Sequence, residues 1–124
     1  MDQTYFRRGF GLKNDIKDSL TSDYASGVVD AFLKGGYTLV AGPLTFRLAK
    51  EFGFCYGVDR AVEYAYETRA KFPDRPIALV GEIIHNPHVN ARLEQMGVRF
   101  LERGADGEFD FSGLTTEDVV IMPA

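Results

Sequence analysis

The chain has a single cysteine, Cys55, so it makes no internal disulfide. A reducing compartment is the simplest setting, and a cytoplasmic protein is expected. Long apolar runs are missing as well. Ile77 to Val80 and Val119 to Met122 are among the longest, far short of the ~20 residues that span a bilayer, so no membrane partner is expected. Residues 1–15, MDQTYFRRGFGLKND, hold no apolar signal stretch, and their acids and lack of serine speak against a transit peptide. There is no basic stripe and the net charge is -4, which excludes the electrostatic footprint of nucleic-acid binding. The glycines around Cys55 match neither the G-x-G-x-x-G fingerprint nor a phosphate loop ending in Gly-Lys-Ser/Thr. No serine sits at a strand-to-helix elbow, so a Ser-His-Asp hydrolase is unsupported.

What is present suits one globular domain. The 124 residues are 45% hydrophobic and 26% charged. A chain of this size buries roughly two-thirds of its unfolded surface. Its 13 glycines predict several tight loops.

The pattern along the chain is an alternation. Residues 1–21 read as a polar, irregular arm on the surface. Thr21, Ser22 and Asp23 are N-cap types, and Val28, Val29, Ala31, Phe32 and Leu33 predict a short helix stopped by Gly35-Gly36. Tyr37 to Ala41 and Thr45 to Ala49 have strand character. A helix is predicted from about Asp59 to Lys71, with Val58, Val62, Ala65 and Phe72 on one apolar stripe and Glu67 pairing with Lys71 on the wet side. Ile77 to Ile83 reads as a strand buried on both faces. Asn86 is a candidate N-cap with Pro87 at the first helical position; Val89, Leu93 and Met96 form the buried side, and Gly97 stops the helix. Val98 to Leu101 and Val119 to Met122 are further strands. The sum is an α/β fold: one small, mostly parallel sheet flanked by helices. Residues 1–36 divide off as an arm with a short helix, and 37–124 as the α/β lobe. Ligands in such sheets bind beyond the carboxyl ends of the strands. That rule points to KEFGFCYGV after the Thr45–Ala49 strand and to IHNPH after the Ile77–Ile83 strand.

Cys55 lies between Gly53 and Gly57, just before a predicted helix start. There the helix dipole favours thiolate, the form that ligates metals or attacks electrophiles. The plainer reading is a small buried hydrophobe. His85 could present its imidazole to an anion or a metal beside free backbone N–H groups, or simply hold a loop by a hydrogen bond. His88 is expected to face solvent. A zinc site from Cys55, His85 and His88 matches no known spacing. Glu82 and Glu94 are candidate acids or bases whose plainer role is structural or solvated.

Two segments, EFGFCYGVDRAVEYAYETR and ALVGEIIHNPHVNARLEQMGVRFLE, resemble the N-terminal lobe of the LytB/IspH family, the hydroxymethylbutenyl diphosphate reductases of isoprenoid synthesis through methylerythritol phosphate. The likeness is strongest over residues 52–102. The arm with its RRGFG and the ending DVVIMPA are similar to the variant of cyanobacteria and plastids. The match covers essentially all of this chain but about the first third of a family member. The resemblance implies three α/β lobes around a 4Fe-4S cluster, each giving one cysteine thiolate, with the first matching Cys55. It implies that His85 hydrogen-bonds the substrate diphosphate and that Ile84 lies beside the substrate. It further implies that ferredoxin or flavodoxin supplies two electrons, and that two protons help remove the substrate hydroxyl as water, releasing isopentenyl or dimethylallyl diphosphate. One cysteine stands here where the family uses three, and its second histidine and acid glutamate have no counterpart. One thiolate cannot hold a four-iron cluster within one lobe. No catalytic residue is therefore assigned within this chain, and the isolated 124 residues are expected to be inactive. They would be a truncated product, or part of a split enzyme completed by a C-terminal chain. The alternative is a non-enzymatic α/β module binding an anion or metal through Cys55 and His85. A lobe of this kind should also expose apolar surface and associate.

Overall fold

Ile77, Ala78 and Leu79 are at most 1% exposed, and they mark the centre of the molecule. The computed structural model describes residues 4–123; the first three residues of the expected arm and Ala124, which ends the expected lobe, lie outside them. These three apolar residues belong to β3 (Ile77–Val80), whose run of β-branched and aliphatic side chains suits a strand with neighbours on both edges. β4 (Val98–Leu101) pairs with it in parallel, Ile77 opposite Val98 and Leu79 opposite Phe100. β5 (Val119–Ile121) pairs in parallel on the other edge, Ile77 opposite Val119. The order is β4-β3-β5. The α/β class with a small parallel sheet is thus as expected.

Parallel neighbours need long crossovers. One is α4 (Pro87–Gln95), which starts at the Asn86 cap and ends before Gly97, whose φ of 78° suits only a residue without Cβ. Val89 and Leu93 are fully buried on its inner side. The other crossover, residues 102–118, is irregular. Arg75 fastens its far end by donating to the carbonyls of Glu117 at 2.8 Å and Thr116 at 3.1 Å. α3 (Tyr56–Lys71) lays Val62, Ala65 and Tyr66 into the same core. Each fully buried aliphatic side chain here stabilises by roughly 1.5–3 kcal/mol.

Four expectations are corrected. The polar stretch 1–21 is not wholly irregular: α1 (Lys13–Tyr24) is a helix, and it packs on α3 with Ile16 buried. Thr21, Ser22 and Asp23 lie in its last turns. The cap of the next helix, α2 (Gly27–Lys34), is Ser26, whose Oγ accepts from the Val29 N–H at 3.3 Å. The Thr45–Ala49 segment does not enter the parallel sheet. β1 (Thr38–Ala41) and β2 (Leu44–Arg47) form a separate antiparallel hairpin, closed at Gly42-Pro43, with Leu39 opposite Phe46. Two short runs joined by a tight turn find each other before either can reach a distant strand. Glu67 is not on a wet face but 3% exposed. The arm lies over it, and the Phe10 N–H donates to its carboxylate. Gly9 makes that close approach possible, since a Cβ there would stand 2.5 Å from the Tyr64 ring.

No helix among the described residues is long and apolar enough to cross a membrane.

Candidate functional site

α3 enters β3 through the short turn at residues 72–76, and α4 leaves β3 through residues 81–86. Each short connection reverses the chain, so the first turns of α3 and α4 lie together at the carboxyl end of β3. Cys55 and His85 occupy those two starts. The ring of Tyr24 joins the two sides: its centroid is 5.8 Å from Phe54, beside Cys55, and 5.6 Å from His88, in the first turn of α4. Phe54, Ile83 and Ile84 also pack on one core.

Cys55 is the N-cap residue of α3 and is exposed, which sets aside its reading as a buried hydrophobe. Gly53 before it holds φ at 99°, a left-handed value that lets the loop turn sharply into the helix. A Cβ at Gly53 or at Gly57 would meet nothing within 4 Å, so there is open space on both sides of the thiol. No side chain caps α3. Its first-turn amides and its dipole therefore face whatever approaches the sulfur.

α4 is built the opposite way. Asn86 Oδ1 accepts from the N–H groups of His88 at 3.0 Å and Val89 at 3.3 Å, the Asn90 N–H reaches the Asn86 carbonyl at 3.0 Å, and Pro87 has no N–H. The free N–H groups expected beside His85 are thus already engaged, because the cap satisfies them itself. The His85 imidazole beside this cap is 98% exposed.

Glu82 contacts His85 Nδ1 and accepts from Asn90 Nδ2 at 2.9 Å. β3 ends at Val80, so Glu82 is a loop residue and not the strand carboxylate expected. It orients the His85 ring and leaves Nε2 as the outward atom. The spacing of three residues, Glu82 to His85, is the signal that could have found this pair. Ile84 is half-buried at the root of the same loop. His88 is exposed, and its Nε2 lies 2.8 Å from the Asp23 carbonyl. Glu94 is exposed on α4, away from the core side.

Asp23, expected only as an N-cap type, lies instead in the last turn of α1. Its carboxylate accepts from the Tyr66 hydroxyl at 2.6 Å and pairs with Arg92. Burial favours its protonated form, but the hydrogen bonds from Tyr66 and Arg92 outweigh that and hold its pKa below the usual carboxylate range. Burial and the Asp23 carboxylate push the Tyr66 phenol well above its ordinary value, so it stays a donor.

Among the described residues, no group of three or more His, Cys, Asp or Glu side chains converges on a metal position. Cys55 fits one thiolate ligand of a cluster, and these residues do not supply the rest. The fold and this end of it define an α/β lobe that offers one exposed thiol at an open helix start and one carboxylate-held imidazole.

The chain belongs to the LytB family: the model of the LytB protein family matches residues 46–124. It is 48% identical over 122 residues to a 4-hydroxy-3-methylbut-2-enyl diphosphate reductase of Picosynechococcus sp., and 47% identical over 125 residues to that of Gloeobacter violaceus. Each alignment covers 98% of this chain, which spans about 30% of the length of these curated relatives. No solved structure matches it.

Proposed function

We propose that this chain is the N-terminal lobe of a reductase acting on 4-hydroxy-3-methylbut-2-enyl diphosphate in cytoplasmic isoprenoid synthesis. In that reaction the allylic C–O bond breaks, two electrons and two protons enter, a C–H bond forms, and oxygen leaves as water. The products are isopentenyl and dimethylallyl diphosphate. Cys55 would give one thiolate to a 4Fe-4S cluster, which when bound supplies the electrons drawn from ferredoxin or flavodoxin. The remaining ligands would come from the part of the relatives that has no counterpart here, whether on a complementing chain or otherwise.

Within the lobe, the roles divide as the two helix ends divide. The uncapped start of α3 favours the ionised sulfur. With its Nδ1–H on Glu82, His85 would donate to the diphosphate through Nε2–H as the imidazolium, and Ile84 would offer an apolar contact beside the substrate. The observation that carries this reading is the exposed Cys55 at an open helix start, in a chain so similar to the reductases.

The test is anaerobic reconstitution of the chain with a separately produced C-terminal segment of a relative, assayed with reduced viologen. Turnover is expected only in the mixture. It should vanish with Cys55→Ser, and His85→Ala should raise KM for the diphosphate substrate. Turnover by the chain alone would overturn the lobe reading. Stoichiometric zinc on Cys55 in aerobically purified protein, with an inert mixture, would favour a metal-binding module instead.

A further inference from the structure

We infer that Asp23 and Tyr24, the last two residues of α1, are positioning residues that set the His85 loop against the Cys55 loop. The catalytic consequence rests on the function proposed above; the structural coupling does not.

Asp23 ties α1 to both helices of the site. Its carboxylate, only 9% exposed, takes the Tyr66 hydroxyl from α3 and the Arg92 guanidinium from α4. Its backbone carbonyl meets His88 in the first turn of α4. Tyr24 then places one ring against Phe54, His88 and Tyr66. At the other end of α4, the tie to α3 is Arg69, donating to the Gly97 carbonyl at 3.1 Å. Near the site, Asp23 bridges Tyr66 of α3 and Arg92 of α4, two side chains that also interact with each other directly. A buried polar cluster of this sort adds little stability over apolar packing of equal volume. What it adds is a fixed geometry, because each hydrogen bond admits only a narrow range of distance and angle.

The experiment compares Asp23→Ala and Tyr66→Phe with Arg69→Ala, which cuts the tie at the far end. Amide resonances of residues 53–58 and 82–89 are followed by NMR. Inorganic diphosphate is titrated onto each protein through the His85 resonances, and Cys55 alkylation by iodoacetamide is timed. Asp23→Ala is expected to shift or broaden both loops together and to weaken diphosphate binding about tenfold. Tyr66→Phe keeps the ring and removes one donor, so it should do the same more mildly and serves if Asp23→Ala does not fold. Arg69→Ala should lower the melting temperature while leaving both loops and the alkylation rate unchanged. Coupled loop shifts in a parent chain that binds no diphosphate would support the positioning role and remove the substrate reading. Loops unmoved in Tyr66→Phe and Asp23→Ala, or moved equally by Arg69→Ala, would overturn the inference.

Discussion

The Tyr66 hydroxyl donates to the Asp23 carboxylate at 2.6 Å, joining residues 43 positions apart. This bond fastens a helix from the polar start of the chain to the middle of α3, and it gives the protein an acid-sensitive point. The Asp23 pKa is depressed in the folded chain, so its stabilising contribution is complete above the unfolded carboxylate range and disappears as pH falls through the folded value. The melting temperature should hold from neutrality to about pH 5 and then drop. Asp23→Asn should flatten part of that drop in calorimetry from pH 7 to pH 3. Glu63, held low by Lys13, and Asp118, held low by the Thr115 amide, account for part of what is left.

Leu93 is fully buried between α4 and the sheet. Leu93→Ala should cost about 2–5 kcal/mol, because the removed methyls leave a cavity that neighbours on two elements cannot close. Denaturant unfolding measures it, and an unchanged midpoint would contradict the core described here.

Gly9 lies flat against Tyr64 and Glu67. Gly9→Ala should lift the arm, release the Phe10 N–H from Glu67 and part Phe10 from Phe72, whose rings stand 5.7 Å apart. A loss of roughly 1–3 kcal/mol is expected from a buried carboxylate left without its donor. Hydrogen exchange at the Phe10 amide should rise before any global unfolding does.

His85→Ala and Asn86→Ala should separate recognition from stability. The His85 ring is 98% exposed, so its loss should change stability by less than about 0.5 kcal/mol while removing diphosphate binding. Asn86→Ala removes the cap of α4 and should cost about 1 kcal/mol. Isothermal titration with inorganic diphosphate, beside thermal melts, reads both effects.

No residue of α2, β1 or β2 is buried. Leu39, Ala41, Leu44 and Phe46 share one face of the hairpin by strand alternation, with Leu44 57% and Phe46 46% exposed. An isolated two-stranded hairpin is marginal in water, so this face should draw copies of the chain together. Sedimentation velocity should show association that Leu44→Lys weakens.

The Asn86 cap, Pro87 at the start of α4, the stop at Gly97, and the strands β3, β4 and β5 were all legible along the sequence. So was Cys55 at a helix start. Each depends on residues within a turn or two of one another, and local backbone chemistry is written in local order. α1 was harder to see: Ile16, Leu20 and Tyr24 repeat every four residues, but the rest of the segment is polar and the stripe is narrow. The pairing of β1 with β2 had a local sign in the Gly42-Pro43 turn, whereas the burial of Glu67 and the role of Asp23 had no local signature. The grip of Glu82 on His85 shows in the sequence only as a spacing of three residues. Sequence alone determined the helices and strands of the β3–β5 sheet and its two flanking helices, around a thiol and an imidazole. Tertiary structure decided which carboxylates are buried, which helix end stays open, and what holds the two loops together, because those outcomes depend on the solvent and partners each group loses or gains when distant segments meet.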